Sequence, residues 1–249
     1  MKLLAIDSSG LVASAAVLQD EELIAEYTVN FKKTHSQTLL PMIAQVRDLL
    51  QLDLKTIDAV AIAAGPGSFT GLRIGASTAK GLGLALQKPL IAVPTVDALA
   101  YNLVGCAGRV CPLMNARRNR AYTGIYSFSG TRMNVLREQC CVPLDEITGE
   151  INQSPEPVMF LGDGVTEFAE QIAMLCTVPY TFAPPHLSRQ RAGAVAALAA
   201  EYYRRGEMVS ADDFAPVYLR LPQAERERLE REEKEKTAAT APETKGPSC

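Results

Sequence analysis

The amino-acid sequence predicts an α/β protein with mixed sheets, built as two halves of similar design. Three observations carry that expectation. Short strand-patterned runs joined by tight turns open the chain, the apolar period then changes to helices alternating with single strands, and the second half opens with strands again. Hairpins demand antiparallel neighbours and helical crossovers demand parallel ones, so each sheet must hold both kinds.

Residues 2–7, 13–18 and 23–29 read as strands, separated by Ser8-Ser9-Gly10 and Asp20-Glu21, both turn-forming. Leu39, Leu40, Ile43, Val46, Leu49 and Leu50 then recur at helical spacing, with Ser36 as the expected cap. A strand over 59–64, a glycine-rich turn, a helix over 70–86, a strand over 90–93 and a helix from Thr95 towards Leu103 complete the first half. In the second half, 110–114, 122–128, 133–137 and 158–161 read as strands, and Gly162-Asp163-Gly164 turns into an amphipathic segment ending near Leu175. A helix with a small-residue face follows over 192–205. The expected division is 1–105, 106–221 and a tail at 222–249. Within that tail, residues 225–236 are almost all charged and cannot bury a face, and 237–249 has the composition of disorder.

The chain has 249 residues, is 47% hydrophobic and carries a net charge of −3, which describes a soluble protein with a sizeable core. That charge gives no global field for binding RNA unaided, so a nucleic-acid role needs a more basic partner. The opening Met1-Lys2-Leu3-Leu4-Ala5-Ile6-Asp7 turns acidic too soon for a signal peptide, and no apolar run approaches the roughly 18 residues of a membrane span. Its six cysteines show neither a C-x-x-C pair nor zinc-ligand spacing, which is the pattern of reduced thiols in a cytoplasm.

The densest signal is Gly65-Pro66-Gly67-Ser68-Phe69-Thr70-Gly71-Leu72-Arg73-Ile74-Gly75, a strand-to-helix turn whose free amides would favour an anion. It matches neither standard phosphate code. The Walker lysine is absent after Gly71, and Thr70 stands where a dinucleotide fingerprint has its third glycine. A structural turn and a nucleotide loop both remain open on these residues, with Gly65 and Gly67 as the candidate cradle. Asp7-Ser8-Ser9, at the end of the first strand, is similar to the first phosphate loop of the actin, Hsp70 and sugar-kinase superfold, or else forms an Asx turn. At the matching place in the second half stands Asn115, an amide in place of a carboxylate. His35 has Leu39 four residues on, where a helical metal site wants a second ligand, and His186 has no ligand nearby. Arg117, Arg118 and Arg120 with Tyr122 form a basic cluster, read as solvated or paired. Gly71, Gly75, Ala79 and Gly83 make a ridge of small residues that lets another backbone approach, whether the chain's own sheet or a partner's helix.

Taken together, Leu4 to Ser9, His35 to Ile43, Gly65 to Leu82, Ala116-Arg117-Arg118, Gly162-Asp163-Gly164 and Pro216 to Arg220 resemble the bacterial TsaB (YeaZ) family of tRNA threonylcarbamoyladenosine biosynthesis proteins, over about residues 1–221. The resemblance implies two actin-like (ASKHA, ribonuclease H-like) α/β subdomains with mixed sheets. It implies a non-catalytic subunit of the complex that adds threonylcarbamoyl to N6 of adenosine 37 in tRNAs reading codons that begin with A. The implied partners are a TsaD-like catalytic subunit, a TsaE-like P-loop ATPase and, when alone, a second copy, with tRNA met only through the complex. It implies no metal or cofactor of its own, and ATP or ADP only at an interface of the complex. Leu39, Ile43, Gly71, Gly75, Ala79 and Gly83 are the expected partner contacts. Asn115 stands where the family usually has Asp, and Asn119-Arg120 replaces a common Gly-Glu. A kinase-like, ATP-binding phosphotransferase of the same superfold is the alternative.

Overall fold

The computed structural model describes residues 1–31 and 34–220. The first half runs β1 (Lys2–Asp7), β2 (Ala13–Gln19), β3 (Glu22–Val29), α1 (His35–Leu50), a 3-10 turn at Leu54–Thr56, β4 (Ala59–Gly65), α2 (Phe69–Leu86), β5 (Leu90–Pro94) and α3 (Thr95–Tyr101). The second runs β6 (Arg109–Asn115), β7 (Arg120–Ser129), β8 (Arg132–Pro143), α4 (Leu144–Ile151), β9 (Val158–Leu161), α5 (Gly164–Leu175), β10 (Tyr180–Phe182) and α6 (Ala192–Arg204). One sheet has the order β3-β2-β1-β4-β5 and the other β10-β9-β6-β7-β8. Position by position these are the same layout. In each, three strands form an antiparallel meander, and the first of them continues into two parallel neighbours reached through helices. This is the expected pair of actin-like α/β subdomains with mixed sheets.

Strand composition explains the layering. Every residue of β4, Ala-Val-Ala-Ile-Ala-Ala-Gly, is buried, as a central parallel strand covered on both faces requires. One face of the first sheet packs against Leu39, Met42, Ile43 and Val46 of α1 and Ala76 and Ala79 of α2. Its other face packs against Val195, Ala196, Leu198 and Ala199 of α6. The second sheet packs Phe168 and Ile172 of α5 with Ile147 and Ile151 of α4 on one side, and Val96, Leu99 and Leu103 of the α3 region on the other. The last helix of each half therefore lies chiefly on the other half's sheet. A boundary at 105/106 separates the two sheets but not their layers, because α6, from the second segment, completes the core of the first. Residues 1–219 form one compact unit.

Several boundaries move. The residue preceding α1 is Thr34, not Ser36, and it makes no side-chain capping bond. β8 runs six residues beyond the expected end at 137, to Pro143, and its pairing with β7 is interrupted by register shifts around Ile125. α4 and β10 were not anticipated. α4 is only eight residues long, and β10 has three residues, none of them buried, so neither offers a period to read. The charged tail expected at 222–249 lies outside the described residues.

Candidate functional site

The glycine-rich turn is folded around the chain's own first loop. Gly65 adopts φ +116°, and a Cβ there would lie 2.1 Å from the Val217 carbonyl oxygen, so only glycine fits. The Val217 amide donates to the Ala64 carbonyl at 2.7 Å, which holds the returning segment against the end of β4. Next, the Ser68 amide donates to the Ser9 carbonyl at 2.7 Å, and a Cβ on Gly67 would sit 2.3 Å from that same oxygen. Ser68 caps α2 by accepting from the Gly71 amide at 3.4 Å. Two amides of the turn are thus engaged, that of Ser68 by Ser9 and that of Gly71 by Ser68, and Gly65 and Gly67 stand where a side chain would strike backbone.

The ridge of small residues faces inward. A Cβ at Gly71 would lie 2.1 Å from the Ser8 carbonyl oxygen, and one at Gly75 would lie 2.5 Å from Ser8 Oγ. At Gly83 a Cβ would meet Ala211, Leu90 and the Lys88 carbonyl at 3.0 Å, and Ala79 is fully buried. Leu39 and Ile43 are 1% and 3% exposed. The six residues expected to touch a partner are buried within this chain, and Leu39 also lines the groove described below. On a helix that covers a sheet, the smallest residues go where the backbones come closest.

Asp7 is 1% exposed, and its Oδ1 accepts from the Ser9 amide at 2.9 Å and the Ser9 hydroxyl at 2.7 Å. Burial pushes its carboxyl above the ordinary value of 3.8, while the two Ser9 bonds and the nearby His35 pull the other way. Ser8 donates from Oγ to the Gly71 carbonyl at 2.9 Å. His35 Nε2 lies 2.8 Å from the Gly10 carbonyl; that oxygen can only accept, so Nε2 carries the proton. Asp7, Ser8 and Ser9 form a closed polar joint between β1 and α2.

The second half differs at the matching place. Asn115, at the end of β6, donates from Nδ2 to Glu167 and accepts from the Arg117 amide at 2.7 Å, and its own amide donates to Asp163 at 3.3 Å. Burial raises the Asp163 carboxyl above its ordinary value. Arg117, Arg118 and Asn119 all take left-handed backbone, φ 62°, 55° and 54°, at the exposed tip of the β6–β7 hairpin. Arg120 is tied down, donating to the Cys141 carbonyl at 2.6 Å. Cys111 is buried and its thiol is pushed up to about 12, an unreactive group. Among the described residues no three His, Cys, Asp or Glu side chains gather as metal ligands, and no helix is long and apolar enough to cross a membrane.

What lies open is the outer side of α1 and α2. A groove of about 490 Å³ runs between them, with Leu39 at its floor and Leu40, Phe69, Arg73, Ile74 and Thr78 along its walls. Leu40 is 58% exposed and Leu49, further along α1, is 85% exposed. The Arg73 guanidinium stands 5.0 Å from the centre of the Phe69 ring, which in turn packs 5.2 Å from Tyr218. Leu40 and Leu49 were legible as apolar positions of the α1 period. Phe69, Arg73 and Ile74 were not, although the inward glycine ridge itself implies that its neighbours on α2 point out.

Residues 22–228 match the family model described as TsaD, tRNA N6-adenosine threonylcarbamoyltransferase. The tRNA threonylcarbamoyladenosine biosynthesis protein TsaB of Bacillus subtilis is 29% identical over 230 residues, spanning 92% of this chain and 99% of that protein. Its Escherichia coli namesake is 34% identical over 128 residues, 51% of this chain and 55% of that protein. Among solved structures, YeaZ from Pseudomonas aeruginosa superposes with a TM-score of 0.77 at 29% identity, covering 88% of this chain and 99% of that one. With the same two-sheet architecture and matches running through both halves, the chain belongs to the TsaB (YeaZ) family of tRNA threonylcarbamoyladenosine biosynthesis proteins, within the sequence family that the TsaD model describes.

Proposed function

We propose that this chain is a non-catalytic accessory subunit of the complex that adds threonylcarbamoyl to N6 of adenosine 37 in tRNAs reading codons that begin with A. It acts by seating the α1–α2 groove on a TsaD-like catalytic subunit. One observation carries the reading: α2 is sealed on its inner side by the Ser8–Ser9 loop and open on its outer side beside exposed Leu40 and Phe69. A strand-to-helix turn filled by its own chain offers little room for a phosphate, whereas an apolar groove between two helices suits a partner's helices.

In this reading a TsaE-like P-loop ATPase completes the assembly. Its tRNA is bound through the complex, in keeping with a net charge of −3 on this chain. Any adenine nucleotide belongs at a junction between subunits, and in the absence of the catalytic subunit the same groove pairs two copies. A kinase-like phosphotransferase finds less support, because Asp7 is committed to Ser9 and Asn115 to Glu167 and Arg117. Affinity capture of the tagged chain from its native cells tests the proposal. The expected result is co-elution of a TsaD-like protein in near-equal amount. Elution of the chain alone, or only with itself, contradicts it.

A further inference from the structure

Resting on the reading above, we infer that Arg73 is a partner-selecting residue, and that the groove takes a catalytic-subunit helix bearing a carboxylate opposite Arg73 in preference to a second copy of this chain. Arg73 is exposed on the groove wall, and among the described residues it has no carboxylate partner; its contact is the face of Phe69. That stacking holds the guanidinium in place while leaving its planar donor edge unused, an arrangement ready for a bidentate carboxylate. An arginine and an aromatic ring at the centre of an apolar groove are also the residue types in which binding energy concentrates.

The charge inventory of the two helices decides between occupants. α2, Phe-Thr-Gly-Leu-Arg-Ile-Gly-Ala-Ser-Thr-Ala-Lys-Gly-Leu-Gly-Leu-Ala-Leu, contains no acidic residue. The one acid of α1 is Asp48, at the far end and already bonded to Arg47 at 2.5 Å. Lys80 is held by the Asp212 and Phe214 carbonyls at 3.0 Å. In a two-fold pairing of this groove with itself, each Arg73 meets helices that supply no free carboxylate and a second Arg73. Burying an unpaired guanidinium is costly, and like charges facing one another add to the cost. Self-pairing is thus possible through the apolar walls but penalised at one position, and an acid on the partner turns that penalty into attraction.

The test uses the full chain and the co-purified TsaD-like subunit, with wild type, Arg73→Lys, Arg73→Gln and Arg73→Glu compared by titration calorimetry at low and high salt. Sedimentation of each variant alone measures self-association, and a thermal melt confirms that the exposed substitution leaves the fold intact. The account predicts that Arg73→Glu weakens binding to the catalytic subunit by at least about tenfold while self-association is little changed, and that the neutral Arg73→Gln tightens self-association. Arg73→Lys should retain part of the affinity, and high salt should narrow the differences. Equal binding of all four variants overturns the inference while leaving the proposed function standing. Parallel losses in both associations overturn it too, since the residue would then not select. Failure of the wild type to bind the catalytic subunit removes the reading on which the inference rests.

Discussion

Ser8 and Gly71 meet twice. The Ser8 hydroxyl donates to the Gly71 carbonyl at 2.9 Å, and the Ser8 carbonyl lies 2.1 Å from where a Cβ on Gly71 would stand. The loop that follows β1 therefore touches helix α2 backbone to backbone, and Gly71 and Gly75 mark that contact.

Gly71→Ala and Gly75→Leu should destabilise the chain itself. Replacing a helical glycine gains up to about 1 kcal/mol from propensity. A clash with the Ser8 carbonyl at position 71, or with the Ser8 hydroxyl and Ile62 at position 75, costs about 1–3 kcal/mol or more, so the clash wins. For a unit of this size the melting temperature should fall by roughly 2–4 °C per kcal/mol lost, furthest for Gly75→Leu. Gly81 is the control: nothing lies within 4 Å of its added Cβ, so Gly81→Ala should leave the melt unchanged or raise it. Equal effects at positions 71 and 81 would contradict the packing argument.

Leu40→Glu should do the opposite. Its side chain is 58% exposed on the groove wall, so stability should change by no more than about 0.5 kcal/mol. Association with the catalytic subunit should be lost. The paired readout is a thermal melt beside a pull-down, and an intact pull-down would place the partner elsewhere.

Much of this was legible in the sequence, for reasons that particular residues make plain. The meander of β1 to β3 and the run of β4 are long, apolar and bounded by turns, so their strands fall within a residue or two of expectation. The four-residue spacing of Gly71, Gly75, Ala79 and Gly83 announced a close backbone contact. It could not say with which neighbour, because a helical period shows that a face exists and not what covers it. Resolving that needed Ser8 and Ala211, residues distant in sequence from the ridge. The placement of α6 on the first sheet was illegible for the same reason, and so was the Arg73–Phe69 contact at an exposed helix start, where no period is broken.

Asp7 should set a pH dependence of stability. Burial raises its folded value above the ordinary 3.8, so its contribution is fully present below that value and is lost as pH rises through the folded one. At neutral pH the buried charge is a net cost. Asp7→Asn, which can still accept from Ser9, should raise the melting temperature near pH 7 and lose that advantage as pH falls below about 4. A variant less stable than wild type at neutral pH would mean that the carboxylate's bonds to Ser9 outweigh its burial.

Tyr126 and Asp97 join the two layers around α3. The fully buried phenol donates to Asp97 Oδ1 at 2.7 Å. Tyr126→Phe removes the donor and leaves a buried carboxyl without it, at a cost of about 1–3 kcal/mol. Chemical denaturation should show a lower midpoint with an unchanged slope. No shift would mean that Asp97 finds another donor.

The central claim, that this chain acts through its α1–α2 groove and carries no turnover of its own, is tested most directly by reconstitution. Purified catalytic subunit, P-loop ATPase, tRNA and the threonylcarbamoyl adenylate are combined with no added chain, with wild type, or with the Leu40→Glu variant, and threonylcarbamoyladenosine is measured in the digested tRNA. The chain alone, with tRNA and the adenylate, is the fourth reaction. The account predicts product with wild type in the full mixture and little without it, a matching loss with Leu40→Glu, and none from the chain alone. Modified nucleoside formed by the chain alone, or full activity with Leu40→Glu, would contradict it.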